Sequence, residues 1–358
     1  MRAHEVKVVE VIGETADTVS LVLDIPDDLT GRFAYAPGQF LTVRVPSERT
    51  GSVARCYSLS SSPHHDPRPV LTVKRSAGGY ASNWLCDNVV AGSVLTVLEP
   101  SGSCVPRSLD GDVLLCAGGS GITPVMSIVK SVLYAGRGRA VLLYANRDRG
   151  SIIFADRLEE LAAEFPGRLT VLHWLESDRG MPSARGLAAL AQGHGSGECF
   201  ACGPPGFLDV ARKALACLGI PQHRIRIEEY RSLSENPFED ARPARTDGDP
   251  PVRIDRGATG RTLPDADHAV AEVEFEGRTY TFDWPRTKRL LDVLLDHGLD
   301  APYVCRESAC GTCVCTVRRG RTRMVAREAL LDDEIDAGLT LACQTLPESP
   351  HIHIAFDQ

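Results

Sequence analysis

The chain has little that would carry it into a membrane or onto nucleic acid. No apolar run approaches the roughly 20 residues that a bilayer-spanning helix needs. The opening Met1-Arg2-Ala3-His4-Glu5 turns at once to charged and β-branched residues. It lacks the apolar stretch of a secretory signal, so a cytoplasmic location is expected. Positive charge is in deficit: 39 Lys and Arg against 47 Asp and Glu leave a net charge of -8 at pH 7. A phosphate-backbone binder needs the opposite balance, so nucleic acid is not expected as a partner. Internal repeats are absent. What remains is 358 residues, 43% hydrophobic and 24% charged, the composition of an ordinary globular protein with room for two or three cores.

Three compositional blocks are visible. In residues 1–108, short β-branched runs (Val6–Ile12, Thr18–Asp24, Phe40–Val45, Val70–Lys74, Val94–Glu99) are broken by Gly, Pro and Ser. That spacing predicts an antiparallel β-barrel. In residues 109–233, apolar runs (Val113–Ala117, Ala140–Tyr144, Leu169–Trp174, Glu198–Cys202) alternate with helix-like stretches (Pro124–Tyr134, Phe154–Phe165, Pro205–Leu218). That is a βαβ pattern with a mostly parallel sheet. Residues 234–265 are rich in Pro, Arg, Asp and Gly and read as a linker. Residues 266–358 open on a hairpin around Glu276-Gly277, followed by an amphipathic Arg289–His297.

Twelve cysteines in a chain without an export signal are expected as reduced thiols or metal ligands. Four form a pattern. Cys305, Cys310 and Cys313 stand as Cys-x4-Cys-x2-Cys, and Cys343 follows far downstream. This is the plant-type [2Fe–2S] spacing. A structural zinc site, built from two short pairs, fits it poorly. Small residues (Ala309, Gly311, Thr312) suit a loop curled round a cluster. Cys315 is expected as a core residue rather than a ligand.

Two patterns in the first block suit a flavin. In Arg55-Cys56-Tyr57-Ser58, alternate residues share a face. Arg55 offers a fork of donors to a pyrophosphate, and Tyr57 offers a ring to stack on the isoalloxazine. Ser58 can place a hydroxyl near the reactive nitrogen. Gly78-Gly79-Tyr80-Ala81-Ser82 then opens a helix, whose free N–H groups make an anion site that the Ser82 hydroxyl can join. Taken singly, Arg-x-Tyr-Ser suits any strand and Gly-Gly any turn. Their order and spacing together carry the reading.

The second block carries Gly118-Gly119-Ser120-Gly121-Ile122-Thr123-Pro124 directly after a buried strand. Glycines there admit a dinucleotide, and Pro124 suits the first helical turn. Cys202-Gly203-Pro204, with Phe207 beyond, ends a later strand, and Asn146-Arg147 follows the second strand of the block, where an adenosine ribose sits. Arg147 or Arg149 could hold a 2′-phosphate, which would favour NADPH, or be solvated loop charges; NADH is the expectation.

With these residues in place, the first two blocks resemble the ferredoxin–NADP reductase-like family, and the third resembles a plant-type ferredoxin. The order FAD–NAD–ferredoxin covers the whole chain and is similar to that of reductase components of multicomponent oxygenases. Within these it looks most like the 3-ketosteroid 9α-hydroxylase reductases and the phenylacetyl-CoA epoxidase reductase. Ser151-Ile152-Ile153-Phe154 and Glu228-Glu229-Tyr230-Arg231-Ser232-Leu233 also carry that likeness. The resemblance implies FAD, with Val73 and Lys74 near its adenosine half. It places Cys202 beside the nicotinamide and Ser58, Cys202 and Glu228 nearest the chemistry. It implies electron flow from NADH or NADPH through FAD and a [2Fe–2S] cluster to a separate oxygenase, in steroid or aromatic-compound degradation. A self-contained flavin reductase or NAD(P)H oxidase, and an iron–sulfur redox sensor, are the rival expectations. Arg318, Arg319, Arg321 and Arg323 read as a solvated hairpin in preference to a docking face.

Overall fold

The structure is a computed structural model that describes residues 3–194, 197–233, 235–240 and 267–356. Of the expected linker, residues 234 and 241–265 lie outside the described residues.

Alternation decides the first strands. In β1 (Ala3–Thr15), Val6 and Val8 are buried while Glu5 and Lys7 are exposed, the period-two pattern of a half-buried strand. There follow β2 (Thr18–Asp24), β3 (Phe40–Ser47), β4 (Gly51–Ser58), β5 (Val70–Lys74), helix α1 (Tyr80–Asn88) and β6 (Val94–Leu98). The strands pair antiparallel in the order β4-β3-β6-β1-β2-β5. An antiparallel bridge between Leu59 and Leu71 joins the two ends of the sheet. The inside is filled by Val8, Leu21, Leu41, Val43, Leu71 and Val97.

Next come β7 (Val113–Gly118), α2 (Ile122–Ala135), β8 (Ala140–Asn146), α3 (Ala155–Glu164) and β9 (Leu169–Leu175). The short α4 (Glu176–Arg179) and α5 (Ala184–Leu190) lead to β10 (Glu198–Cys202), α6 (Pro205–Cys217) and β11 (Ile225–Glu228). The sheet is parallel throughout, in the order β11-β10-β7-β8-β9. Central β7 is buried along its whole length, as a strand covered on both faces must be. The carboxyl ends of β7, β8, β10 and β11 share one edge, where ligands bind in open α/β sheets.

Barrel and parallel sheet belong to one compact unit, Ala3–Ser232. Their contact is polar and buried. Ser62 and Ser131 share a hydrogen bond of 2.8 Å, Ser127 Oγ donates to the Ser61 carbonyl at 2.6 Å, and Lys130 Nζ meets Asp66 Oδ2 at 2.5 Å.

The second unit begins at Leu233. It contains α7 (Pro237–Asp240), β12 (His268–Phe275), β13 (Arg278–Pro285), α8 (Leu290–Asp296), β14 (Val314–Arg319) and β15 (Thr322–Met324). It ends with α9 (Asp332–Asp336), β16 (Leu339–Leu341), β17 (Thr345–Pro347) and β18 (His351–Ala355). The main sheet is mixed, β13-β12-β18-β14-β16, with β12 and β18 parallel; β15 and β17 form a separate ribbon. Glu276 and Gly277 both take positive φ (48° and 71°), which lets the turn match the twist of its hairpin. Trp284, Leu290, Leu294 and Ile354 fill the core under α8. This is the α+β, β-grasp-like architecture expected for the last block. No helix among the described residues is long and apolar enough to cross a membrane.

Candidate functional site

Strand pairing brings the first candidate site together. β10 lies between β7 and β11, with Cys202 in register with Ala117 on one side and Glu228 on the other. Ser58, the last residue of β4, comes from the barrel and is buried. Its Oγ donates to Glu228 Oε1 at 3.4 Å and lies 3.1 Å from the Tyr230 hydroxyl. That hydroxyl also reaches Thr123 Oγ1 at 2.8 Å, and Thr123 donates to the Ser120 carbonyl at 3.1 Å. Ser58, Thr123, Cys202, Glu228 and Tyr230 thus meet at one place, drawn from barrel, Gly-rich turn and sheet edge.

Burial sets the protonation there. Loss of solvent pushes the Glu228 carboxyl up to about 8, against the Ser58 hydroxyl, which pulls it down. Its Oε2 is buried with no hydrogen-bond partner. Burial, then the nearby Glu228 carboxylate, drives the Cys202 thiol well above the ordinary thiol range. Near neutrality the site therefore holds a protonated carboxyl and a neutral thiol. Tyr230 turns its hydroxyl inward, while 39% of the residue stays exposed, leaving a ring available to cover a planar ligand. Sequence reading had not singled out Tyr230 as a site residue. Its signal in the sequence is its place in the Glu228–Leu233 segment, which carries the family likeness and follows the last strand of the sheet.

The glycine turns pack against each other. A Cβ on Gly121 would stand 2.0 Å from the Cys202 carbonyl oxygen, and one on Gly118 would meet the Phe207 ring at 2.7 Å. Gly118–Gly121 and Cys202-Gly203-Pro204 therefore form one close-set floor at the carboxyl edge of the sheet. Gly119 takes φ 53°, and Pro124 lies in the first turn of α2. Asn146 ends β8 with both amide atoms buried and lacking a partner in hydrogen-bond geometry. Such a floor and an orphaned amide fit a dinucleotide.

The remaining flavin-side residues divide. Arg55 and Tyr57 lie on β4, two apart; the Arg55 guanidinium donates to the Ala54 carbonyl at 2.7 Å, and Tyr57 is half-buried against the barrel core. Gly79 caps α1, and Gly78 takes φ 69°. Ser82 accepts the Ser76 N–H at 3.1 Å, so its oxygen already serves the loop. Tyr80 is exposed and donates to the Pro46 carbonyl at 2.7 Å, while Ala81 is buried. Val73 is fully buried in the barrel and presents only backbone to a ligand. Lys74 and Arg147 both turn to Asp17, at 3.7 and 3.3 Å. Burial pushes Asp17 up, but Thr15, Lys74, Thr18 and Arg147 outweigh it and hold the carboxyl below its usual range.

The second unit holds the thiols. The loop carrying Cys305, Cys310 and Cys313 bends through left-handed φ at Arg306 (56°), Ser308 (66°) and Gly311 (69°). Such bends turn successive N–H groups inward, as in an anion-binding nest. The Glu307 N–H lies 3.3 Å from Cys305 Sγ, and Gln344 Nε2 donates to the Arg306 carbonyl at 2.7 Å and to Cys343 Sγ at 3.5 Å. The Ala342 N–H donates to the Cys313 carbonyl, fixing the distant ligand against the loop.

Hydrogen bonding with Cys310 lowers the Cys305 thiol, and hydrogen bonding with Cys313 lowers the Cys343 thiol. Their partners Cys310 and Cys313 are driven up by the same contacts. Among the described residues no three ligating side chains converge as on a single ion. Three soft donors on one tight loop and a fourth on the segment bonded to it, with a buried Ser308 hydroxyl lacking a partner beside them, fit the cluster that the spacing predicts. None of the twelve cysteines, all of them among the described residues, is in a disulfide. Cys315, on β14, is buried in the core, as expected.

Comparison with known proteins covers the whole chain. Three family models match: an oxidoreductase FAD-binding domain over residues 5–105, an oxidoreductase NAD-binding domain over 115–213, and a 2Fe-2S iron-sulfur cluster binding domain over 273–348. The ferredoxin reductase component of 3-ketosteroid-9-alpha-monooxygenase from Mycobacterium tuberculosis is 50% identical over 99% of this chain and 96% of its own length. A 1,2-phenylacetyl-CoA epoxidase component from Escherichia coli is 29% identical over 99% and 98%. The solved structure of phthalate dioxygenase reductase superposes with a TM-score of 0.52 at 22% identity, covering 99% of this chain and 98% of that one, and so shares its fold.

Proposed function

The chain belongs to the family of oxygenase reductases that includes the ferredoxin reductase component of 3-ketosteroid-9-alpha-monooxygenase, and from that premise we propose that it draws electrons from NADH and delivers them singly to an oxygenase acting on a steroid ring ketone. The observation that carries this reading is the Cys305–Cys313 loop, hydrogen-bonded to the segment that carries Cys343, in a chain that also has an FAD-binding and an NAD-binding domain. When bound, the nicotinamide and flavin supply two-electron chemistry and the [2Fe–2S] cluster one-electron chemistry.

The residues have separable tasks. Gly118, Gly119, Ser120, Gly121, Thr123 and Pro124 admit the nicotinamide nucleotide to the sheet edge, with Cys202, Gly203, Pro204 and Phe207 as the facing wall and Asn146 toward the ribose. Arg55, Tyr57, Ser58 and the Gly78–Ser82 turn hold the flavin. Glu228 keeps a proton near neutrality and can exchange it through the Ser58 hydroxyl. The Tyr230 ring shields that path from water. Val73 and Lys74 lie toward the adenosine half of the flavin, and Asp17 neutralises Arg147 where a 2′-phosphate would need it, which favours NADH. Cys305, Cys310, Cys313 and Cys343 hold the cluster. The domains run 1–108, 109–233 and 266–358, joined by the 234–265 linker, and the protein works in the cytoplasm.

Separate anaerobic titrations with NADH and NADPH, followed by ultraviolet–visible absorbance, test the reading. About three electrons per chain are expected, two at the flavin and one at the cluster, with NADH the better donor. A flavin spectrum with no iron–sulfur absorbance in an iron-replete preparation would overturn it.

A further inference from the structure

The ribbon β15–β17 runs beside the cluster loop. Along β15 and the residues flanking it, alternate side chains face out: Arg321, Arg323, Val325 and Arg327 are exposed, and Thr322, Met324 and Ala326 are partly covered. Arg323 pairs in register with Leu346, and the Val325 N–H donates to the Gln344 carbonyl at 3.0 Å. The row therefore lies one residue from the ligand Cys343. Exposed Arg319 continues it across Gly320.

Three of the row's four arginines carry charge that no ion pair among the described residues opposes. Among the described residues, the guanidinium groups of Arg319, Arg321 and Arg323 have no ion pair; Arg327 reaches Asp332 at 3.3 Å. Facing β17 (Thr345–Pro347) carries no carboxylate, and exposed Glu348 touches Arg321 only through backbone. Arginines on an edge strand can serve merely to prevent sheet-to-sheet aggregation. That role needs no apolar member, yet Val325 is 55% exposed in the middle of the row. It also leaves unexplained why a chain of net charge -8 gathers these cations beside a redox ligand.

We propose that Arg319, Arg321, Arg323, Val325 and Arg327 form the docking face for the electron-accepting protein, and that this partner presents carboxylates around a small apolar contact. The proposal rests on the reading that electrons leave for a separate protein. One electron passes from the cluster to the partner's centre, oxidising the first and reducing the second, with no bond or proton moved. Opposed charges would speed encounter and fix orientation, and salt would screen both.

The test uses the full cluster-loaded protein and two acceptors of opposite charge, acidic cytochrome b5 and basic cytochrome c. Binding is read by isothermal titration calorimetry, and reoxidation of the prereduced cluster by stopped-flow absorbance. Cytochrome b5 should bind more tightly and react faster, with both advantages falling as salt rises. R321E/R323E should weaken that binding and slow that reaction about ten-fold or more, and R321Q/R323Q less. Both variants should keep the cluster spectrum and the rate at which NADH reduces the cluster. Preference for cytochrome c, a salt-independent reaction with cytochrome b5, or unchanged R321E/R323E behaviour would overturn the proposal. A slowed internal reduction would overturn it too, by assigning the row to electron entry. If neither protein takes electrons from the cluster, the functional reading falls with it.

Discussion

Ser58 and Glu228, 170 residues apart, share a hydrogen bond of 3.4 Å between the last residue of a barrel strand and the last residue of the parallel sheet. The contact joins the two halves of the first unit at the place where their glycine turns and strand ends converge. A buried hydroxyl and a buried carboxyl make a proton-holding pair there, and the Tyr230 hydroxyl bonds both Ser58 and Thr123 beside it.

Glu228 should make stability fall with rising pH. Its folded pKa, about 8, lies above the ordinary 4.5, so the stabilisation it contributes is complete below about pH 4.5 and is lost as pH climbs through 8. Glu228→Gln removes that dependence. Urea melts of both proteins at pH 6 and pH 9 should show the wild type losing up to a few kcal/mol relative to the variant, since each ten-fold gain in proton affinity on folding corresponds to about 1.4 kcal/mol. Equal losses would contradict the burial assigned to this carboxyl. The variant should also reduce acceptors about ten-fold to a hundred-fold more slowly.

Gly121→Ala tests the packed floor. Its Cβ would stand 2.0 Å from backbone oxygen, which cannot move as a flexible side chain can. A loss of roughly 2 kcal/mol or more is expected in thermal or chemical melts, together with weaker NADH binding by fluorescence titration. Unchanged NADH affinity would remove Gly121 from the nucleotide site.

Asp17→Asn tests nucleotide choice. Arg147 loses its counter-ion and becomes free to meet a 2′-phosphate. The ratio of kcat/KM for NADPH to that for NADH should rise about ten-fold. A ratio that does not move would show that Arg147 lies away from the ribose.

Asp66→Ala should leave Lys130, only 10% exposed, without its ion-pair partner at the join of barrel and sheet. Burial already lowers the Lys130 pKa, with Asp66 opposing. A loss of about 3 kcal/mol is expected from denaturant melts, partly restored by Lys130→Met in the same chain. A near-neutral single variant would mean that this join does not hold the unit together.

Much of this architecture was legible in the sequence because local pattern and tertiary demand agreed. Thr18–Asp24 and Val70–Lys74 form strands with those same bounds, since each is a short β-branched and apolar run flanked by turn residues. β1 runs well beyond the expected Val6–Ile12 because backbone pairing with β2 and β6 extends it past its apolar core. The four thiols were readable from spacing alone, since iron–sulfur chemistry dictates the residue type and a tight loop dictates the intervals. Partnerships between distant segments were not readable. Nothing local to Arg147 foretells Asp17, nothing in Ser82 foretells its bond to Ser76, and Tyr230 gains its place only when β4, α2 and β11 meet. Arg318, Arg319, Arg321 and Arg323 read in sequence as a solvated hairpin, and only the pairing of Arg323 with Leu346 shows how near to Cys343 that hairpin lies.

The order of reduction tests the central claim most directly. The protein, loaded with flavin and cluster, is mixed anaerobically with NADH in a stopped-flow spectrophotometer, and the flavin and iron–sulfur bands are followed separately. The account predicts that the flavin band bleaches first and the cluster band follows, at a rate that does not depend on protein concentration. Cluster bleaching ahead of the flavin, or a cluster that NADH leaves oxidised, would contradict it.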